Sequence, residues 1–498
     1  MLLGCVLALA AQVNGNLQQI GDKKILKVWG SHYERGQAQG YYTAPQIMAV
    51  FQDFFWTMFC FSSTSYYGYI TSYYNQHFSP APELVNELNG LLSGIQLSGQ
   101  SLFHQGLNRE LGIDDLLLLN AMYDLVEVQE NLPQPRQLSL GCASLASWGA
   151  TTAADSLLAS SAVITRFLDI SQNSALIAAP LLVVHFPAET DEQKWLNFTL
   201  PGFVGALTAV NTAGVYASMN TATDFYPTNP SEPINPILFD LRRGIEKIDF
   251  DGNGQRNPMD VFAAISAADH LSEFVVQTLQ ETAGNTFGAV IETKYGTSVY
   301  RTVGQYSGLP GTHLGATNHF RMLASPACCN RYYQIQDSLY ANSQMSAKRQ
   351  WNLMGGAAGL ETTLSAVQWT PSTGLLLWAS ATTEEPAWQR PAIALYADEL
   401  FNAPVSADDE YVPNPHKLLS LYPNPLKSGD RLQLKSERPV RKVQIFNLKG
   451  QKVYESKPES SSKYIDPSFE PNLSRAGIYL LIAEFGDGQR QTQKLVVY

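Results

Sequence analysis

Cys142 occupies a position where one residue can acquire both a nucleophile and its base. It follows Gly141 between a Pro-containing loop and an alternating, strand-like run, and glycine permits backbone conformations that other residues resist. If the Gly141–Cys142 bond breaks, Cys142 carries a thiol and a terminal amine. Because the pKa of a terminal amine is normally about 7.7–8.0, this amine can take the proton of its own thiol without a histidine. The alternative is a buried free thiol, the commonest role of an isolated cysteine.

Three further polar residues could complete such a site. Arg166 and Asp169 follow an apolar run, residues 157–165, that is predicted to form a strand pairing back toward Cys142. An arginine beside a thiol lowers the pKa of that thiol, and an aspartate can hold the terminal ammonium group. Asn220 ends a strand-like run, where its side-chain amide can donate to a developing oxyanion. Taken singly, the arginine and aspartate also fit a surface pair, and Asn220 fits a turn or cap.

In their order along the chain, these residues resemble the cysteine-type N-terminal-nucleophile (Ntn) hydrolases, and within them the peptidase C45 family of acyl-CoA:6-aminopenicillanate acyltransferases. The resemblance spans roughly residues 26–400. Phe167 stands where the family has asparagine, and the Cys142-to-Arg166 hairpin is several residues longer than usual. The matching segments are Gly30–Gly40, Gly141-Cys142-Ala143-Ser144 with Trp148-Gly149, Arg166-Phe167-Leu168-Asp169, Asn220, Asn318 and Arg331.

The resemblance implies a self-processing amide hydrolase or acyltransferase that needs no catalytic cofactor. Cys142 would be the nucleophile and its freed amine the base, while Arg166 and Asp169 would set its ionisation and position. Asn220, with a backbone N–H, would stabilise the oxyanion. Asn318 and Arg331 would support the site and the cleavage geometry. The substrate would be a small-molecule, non-peptide or N-acyl amide.

The predicted elements favour an α+β fold. Apolar residues recur at helical spacing before Cys142, and alternating runs dominate after it, with helices between and after the strands. The family resemblance implies a four-layer αββα sandwich, with two stacked antiparallel sheets and helices outside. Predicted helices cover residues 45–59, 82–97, 113–128, 236–247, 259–281 and 330–346.

Residues 249–260 fit the ligand spacing of an EF-hand calcium loop. Gly254 stands at position 6, and oxygen-bearing side chains stand at positions 1, 3, 5, 7, 9 and 12. We therefore expect a structural calcium ion here, the alternative being a turn rich in Gly, Asn and Asp. The expected ligands are Asp249, Asp251, Asn253, Gln255, Asn257 and Asp260.

The C-terminal part differs from the remainder in charge. From residue 417 onward there are 14 Lys/Arg against 8 Asp/Glu, whereas the remainder holds 19 against 36. Short alternating runs separated by Gly- and Asp-containing turns predict a small all-β sandwich. The segments 421–425, 443–450 and 473–479 resemble the type IX secretion C-terminal sorting domain. The resemblance implies export across the outer membrane of a Bacteroidota-type bacterium, to the surface or the medium.

The N-terminal run resembles the core of a secretory signal peptide, without its basic region. Leu3-Gly4-Cys5 also fits a lipid-attachment box. No later segment is long and apolar enough to cross a membrane. The predicted division is a signal at 1–16, a pro-segment at 17–141, a catalytic chain at 142–400, a linker at 401–418 and the sorting domain at 419–498.

Composition narrows the classes of function. The 498 residues carry a net charge of −11, which argues against a nucleic-acid binder. The five cysteines form neither a CxxC pair nor a Cys/His cluster, so no zinc site is indicated. Two alternatives to the leading function remain, a non-catalytic secreted binding protein on the same fold and a lipid amidase resembling ceramidases.

Overall fold

The chain divides into two compact units, Met1–Pro404 and Val405–Tyr498. The computed structural model describes residues 13–130, 140–222, 230–306, 308–324 and 328–403, followed by residues 419–422, 426–436, 440–447, 451–456, 468–469, 471, 473, 477–485 and 490–497. Most of the predicted signal peptide, with its lipid-attachment box, lies outside the described residues, as do the loop 131–139 and residues 404–418 of the predicted linker.

Five of the eleven α-helices described in the first unit lie before Cys142 in the sequence, and six lie after it. A π-helix, Val50–Phe59, continues directly from α1. The helices are α1 (His32–Ala49), α2 (Thr64–His77), α3 (Pro82–Leu97), α4 (Ile113–Asn120), α5 (Met122–Glu130), α6 (Ser174–Ile177), α7 (Ile237–Glu246), α8 (Pro258–Ser266), α9 (Asn330–Ala341), α10 (Ala347–Ala358) and α11 (Ala397–Leu400).

The strands form two large sheets. Nine strands follow the order β1-β2-β7-β8-β9-β10-β11-β12-β13, and six follow the order β14-β5-β6-β15-β16-β17. The strands are β1 (Gly15–Ile20), β2 (Lys23–Gly30), β3 (Phe103–His104), β4 (Arg109–Glu110), β5 (Leu140–Ser147), β6 (Val163–Ile170), β7 (Leu181–Pro187), β8 (Trp195–Thr199), β9 (Thr208–Asn211), β10 (Tyr216–Thr221), β11 (Phe274–Thr282), β12 (Asn285–Lys294), β13 (Thr297–Arg301), β14 (His313–Ala316), β15 (Thr363–Thr370), β16 (Leu375–Ser380) and β17 (Ile393–Tyr396).

The two faces of the six-stranded sheet pack against different partners. Alternate residues of a strand point to opposite faces. Ala146 and Ile164 accordingly join an apolar cluster shared with the nine-stranded sheet. Leu145 and Phe167 join a second cluster, which contains Tyr332 of α9 and residues of α10. The middle of the β5–β6 hairpin therefore presents one face to the other sheet and the opposite face to these two helices.

Helices α1 and α3 of the predicted pro-segment approach at backbone distance. A Cβ added to Gly36 would lie 1.9 Å from the Glu87 carbonyl oxygen, and one added to Gly90 would lie 2.0 Å from that of Tyr33. Gly40 and Gly94 face similarly close carbonyl groups. Glycine is required at these contacts because any side chain would force the helices apart.

Three sequence predictions of secondary structure were wrong. The helix predicted over 259–281 divides into α8 and β11, because the β-branched, alternating run that begins at Phe274 pairs with β10 and β12. The return strand expected from residue 157 begins at Val163, after turns. The nine-stranded sheet is also not wholly antiparallel, since β2 and β7 pair in parallel across a long connection.

The second unit is all-β in its described residues. It contains a three-stranded sheet, β18-β19-β22, and a four-stranded sheet, β21-β20-β23-β24, with one apolar cluster that includes Leu434, Ile445 and Leu481. Its strands are β18 (Leu419–Tyr422), β19 (Leu432–Ser436), β20 (Val440–Asn447), β21 (Lys452–Ser456), β22 (Ser468–Phe469), β23 (Gly477–Phe485) and β24 (Arg490–Val497).

Candidate active site at Cys142

Cys142 lies near the start of the β5–β6 hairpin. The antiparallel register pairs Cys142 with Leu168, Ser144 with Arg166, and Gly141 with Asp169. Cys142 and Arg166 share a face, because paired residues point the same way and the side-chain period is two. Asp169, three residues beyond Arg166, belongs to the opposite face, on the side of α9.

Arg166 is the cation that contacts the thiol. Its Nη2 donates to Cys142 Sγ at 3.3 Å and to the Met219 carbonyl oxygen at 2.9 Å. Cys142 is 5% exposed and Arg166 is 2% exposed. Burial raises the pKa of the Cys142 thiol above its ordinary value, although the Arg166 charge acts in the opposite direction. The thiol of the intact chain is therefore protonated at neutral pH.

The backbone nitrogen of Cys142 is held by an amide side chain. It donates to Asn318 Oδ1 at 3.1 Å, and Asn318 Nδ2 donates to the Thr221 carbonyl oxygen at 2.5 Å. Asn318 follows β14, the neighbour of β5 in the sheet. The predicted role of Asp169 as holder of the new amine therefore fits Asn318 better, because in the intact chain this nitrogen is bonded to Asn318.

Arg331 connects the carboxylate to the backbone at the predicted cleavage point. From the first turn of α9, its Nη1 donates to Asp169 Oδ2 at 2.6 Å. Its Nη2 donates to the Cys142 carbonyl oxygen at 3.2 Å and also to Asn318 Oδ1. The other Asp169 oxygen accepts from Thr363 Oγ1 at 2.6 Å. Asp169 is thus an anchor for Arg331.

Asn220 donates to a residue outside the group that the other five predicted residues form. It is on β10, buried, and its Nδ2 donates to the Thr317 carbonyl oxygen at 3.3 Å. Its Oδ1 is buried without a hydrogen-bond partner among the described residues. The structure therefore gathers Cys142, Arg166, Asp169, Asn318 and Arg331 into one network, with Asn220 beside it.

A narrow cleft adjoins Cys142, and its empty space of about 180 Å³ leaves no room for a water molecule in the uncut chain. Its walls are mostly apolar and come from the pro-segment, from the β5–β6 hairpin and from the nine-stranded sheet. The lining residues are Tyr123, Leu140, Gly141, Cys142, Leu168, Asp169, Ile170, Leu207, Met219 and Thr221.

Sequence reasoning missed three residues of this site. Thr221 Oγ1 donates to the Leu140 carbonyl oxygen at 3.2 Å. Thr363 binds Asp169, and Tyr123 lines the cleft from α5. Thr221 directly follows Asn220, so its place at the end of the same predicted strand could have indicated that it belongs to the site. Nothing in the sequence pattern distinguishes Tyr123 or Thr363 from core residues.

The loop 249–260 brings three of its six predicted metal ligands together. Carboxylate oxygens of Asp249, Asp251 and Asp260 lie within 4.8 Å of one another. Asp260 accepts from the Phe250 backbone at 2.7 Å, and Asp249 Oδ1 has no partner in the described structure. Asn257 caps α8, accepting from the Met259 backbone. The side-chain amides of Asn253 and Gln255 donate and accept, respectively, within the loop. The donor set is oxygen-only, which suits calcium.

A second charged cluster joins the pro-segment to later residues. His32 contacts Glu87 at 2.8 Å and Glu192 at 3.0 Å, and Arg242 Nη2 donates to Glu87 at 2.6 Å. These two carboxylates raise the pKa of His32 to about 9 against the effect of burial. Arg35 donates to Glu192 at 3.0 Å, so these carboxylates are neutralised by cations already present.

Comparison with known proteins identifies the C-terminal part. Residues 420–498 match the family model described as the secretion system C-terminal sorting domain. This confirms the predicted type IX sorting domain, and it indicates export to the cell surface or the medium. Within the described residues, no helix is long and apolar enough to cross a membrane.

About half of the chain resembles solved structures at low sequence identity. No curated protein matches the chain by sequence. One similar solved structure is the Caenorhabditis elegans ortholog of N-acylethanolamine-hydrolyzing acid amidase, at 13% identity over 51% of this chain and 100% of that chain, with a TM-score of 0.34. Another is a mutant conjugated bile acid hydrolase from Clostridium perfringens, at 8% identity over 52% of this chain and 95% of that chain, with a TM-score of 0.31.

Proposed function

We propose that this exported chain is a self-processing amide hydrolase with Cys142 as its nucleophile, a member of the peptidase C45 group of Ntn hydrolases. One observation carries the proposal. The two groups of Cys142 that the reaction needs, its thiol and its backbone nitrogen, are held by separate polar side chains, Arg166 at 3.3 Å and Asn318 at 3.1 Å. The two packed sheets, with helices on their other faces, fit the αββα arrangement of that group.

Self-cleavage is the first step of the proposed reaction. Cys142 Sγ attacks the Gly141 carbonyl carbon, the thiol proton passes to the Cys142 nitrogen, and the Gly141–Cys142 C–N bond breaks. A thioester then joins Gly141 to Sγ, and water hydrolyses it to a Gly141 carboxylate and a free thiol. Thr221 and Arg331 hold the carbonyl groups of Leu140 and Cys142, one on each side of this bond. Fixed geometry of this kind lowers the entropic part of the barrier.

Amide turnover uses the new terminus. The Cys142 amine takes the thiol proton while Sγ attacks the substrate carbonyl carbon, and the oxyanion is stabilised by Asn220 with a backbone N–H. Collapse breaks the substrate C–N bond, and the ammonium proton goes to the leaving amine. Water then hydrolyses the acyl thioester. An amine in place of water would make the same chain an acyltransferase.

A trapping experiment tests this function. Purified protein is incubated with N-acyl-4-nitroanilides of increasing acyl length, quenched in acid and digested for mass spectrometry. We expect nitroaniline release and an acyl adduct on the Cys142 peptide. Cys142→Ala should lose both, whereas the exposed Cys328→Ala should keep both. A chain that releases no nitroaniline and carries no adduct would instead be the non-catalytic binding protein.

The cleft wall favours one variant of this function, a lipid amidase. Leu140, Leu168, Ile170 and Met219 surround Cys142 with apolar surface, and apolar side chains bind acyl chains by excluding water. We therefore expect long-chain anilides to have the higher kcat/KM. A preference for acetyl over decanoyl substrates would contradict the lipid variant and leave the general reaction intact.

A further inference from the structure

The cleft beside Cys142 contains one hydroxyl that has no hydrogen-bond partner among the described residues. Four of its lining residues, Tyr123, Cys142, Asp169 and Thr221, have polar side chains. Thr221 donates to the Leu140 carbonyl oxygen, and Asp169 accepts from Arg331 and Thr363. The Tyr123 hydroxyl is buried without a hydrogen-bond partner in the part of the chain that the structure describes.

Tyr123 reaches the site from α5, a helix of the predicted pro-segment. Its side chain packs near Phe203, and the residue is 2% exposed. Burial raises the pKa of its hydroxyl, the nearby Cys142 raises it further, and Arg166 lowers it. The hydroxyl is therefore protonated at neutral pH and within electrostatic reach of the thiol and its arginine.

A buried hydroxyl without a partner is unfavourable, because it has lost its hydrogen bonds to water and gained none. Phenylalanine would fill the same space without that loss. A polar group retained in this position is explained if cleavage at Gly141–Cys142, whose residues line the cleft, makes room for a ligand that supplies the partner.

We propose that Tyr123 is a substrate-contacting residue whose hydroxyl donates to the carbonyl oxygen of an N-acyl amide bound next to Cys142. This inference rests on the proposed function and deepens it. The pro-segment then contributes a side chain to the finished site, so the enzyme needs both products of the cleavage. Because the carbonyl oxygen gains negative charge when Sγ attacks, the hydrogen bond is stronger in the transition state and its loss appears mainly in kcat.

The test compares Tyr123→Phe with Tyr66→Phe. Tyr66 is a matched control, because its hydroxyl is also buried without a partner and it also belongs to the pro-segment, but it does not line the cleft. For each protein one measures the melting temperature, the fraction cleaved at Cys142, and kcat and KM for decanoyl-4-nitroanilide.

We expect both variants to fold and to cleave themselves as the unaltered protein does, with unchanged or higher melting temperatures. Tyr123→Phe should lower kcat by about 10- to 100-fold, the range for a hydrogen bond to a charged group. Tyr66→Phe should turn over normally.

Three results would overturn the proposal. One is a normal kcat in Tyr123→Phe, and another is an equal loss of kcat in Tyr66→Phe. The third is a lower melting temperature or failed self-cleavage in Tyr123→Phe alone. It would show that the hydroxyl stabilises the fold or takes part in the cleavage step. If the unaltered protein neither cleaves itself nor hydrolyses any anilide, the proposed function fails, and the role of Tyr123 fails with it. Normal turnover in both the unaltered protein and Tyr123→Phe leaves the function intact and removes only this residue.

Discussion

Cys142 is held through three of its atoms, each by a different side chain. Arg166 contacts Sγ, Asn318 accepts from the backbone nitrogen, and Arg331 donates to the carbonyl oxygen. Because these partners come from β6, from the residues after β14 and from α9, no short sequence window contains the site. Distances between such segments are set by packing, so the order of residues along the chain did not indicate that Asp169 would bind Arg331 and Thr363.

Asn220 gives a prediction at this scale. Replacing it by alanine should lower kcat by about 100- to 1,000-fold, the usual cost of losing an oxyanion donor. Steady-state hydrolysis of an N-acyl-4-nitroanilide measures the effect. The exposed Asn352→Ala is the matched control and should behave as the unaltered protein. Near-normal kcat in Asn220→Ala would mean that the oxyanion is stabilised by other groups.

At the scale of elements, the β5–β6 hairpin places opposite chemistry on its two faces. The thiol and Arg166 face the nine-stranded sheet, while Asp169 faces α9 and Arg331. This division was predictable from strand periodicity once the return strand was known to begin at Val163. The strand β11 was not predictable in the same way, because residues 259–281 also carry apolar residues at helical spacing, and only pairing with β10 and β12 decides between the two.

The loop 249–260 carries a metal prediction. We expect calcium to bind there with oxygen ligands, so chelation should lower the melting temperature and calcium should restore it. Asp251→Ala should abolish the difference between chelated and calcium-loaded protein. Asp398→Ala, which removes an exposed carboxylate elsewhere, should preserve it. If the melting temperature of the unaltered protein is the same with and without calcium, the loop is a turn that does not bind the ion.

At the scale of the whole molecule, the cut at Gly141–Cys142 would leave the two products joined by buried contacts. Strand β2 pairs with β7 across the cut, and helix α1 places His32 and Arg35 against Glu192. The charges of this cluster are paired inside the fold, where removing one partner of an ion pair strongly destabilises the folded state. We expect the smaller chain to stay bound after cleavage and to require denaturant for release.

His32 makes the stability of the fold depend on pH. Its pKa is about 9 when folded and about 6.5 when unfolded, so its protonation stabilises the fold. That contribution is fully present below pH 6.5 and is lost as the pH rises to 9, at most roughly 3 kcal/mol. Urea unfolding at pH 6 and pH 9.5 should show a smaller pH effect in His32→Gln. In His77→Gln, the free energy of unfolding should differ between the two pH values as much as it does in the unaltered protein. The same difference in all three proteins would contradict this role of His32.

We expect the sorting domain to be needed for export but not for amide hydrolysis. Because the two units are compact in themselves, deleting residues 405–498 should leave the amide hydrolysis of the first unit unchanged. The same deletion should stop export, since the matched family lies within those residues. Fractionation of expressing cells, with activity assayed in each fraction, separates the two effects. Appearance of the truncated protein in the medium would show that another signal suffices.

Self-cleavage at Gly141–Cys142 is measured most directly by the intact mass and N-terminal sequence of the purified protein. We expect two chains, the larger beginning at Cys142, and one uncut chain for Cys142→Ala. A single unbroken chain in the unaltered protein, still uncut after prolonged incubation across a range of pH, would contradict it.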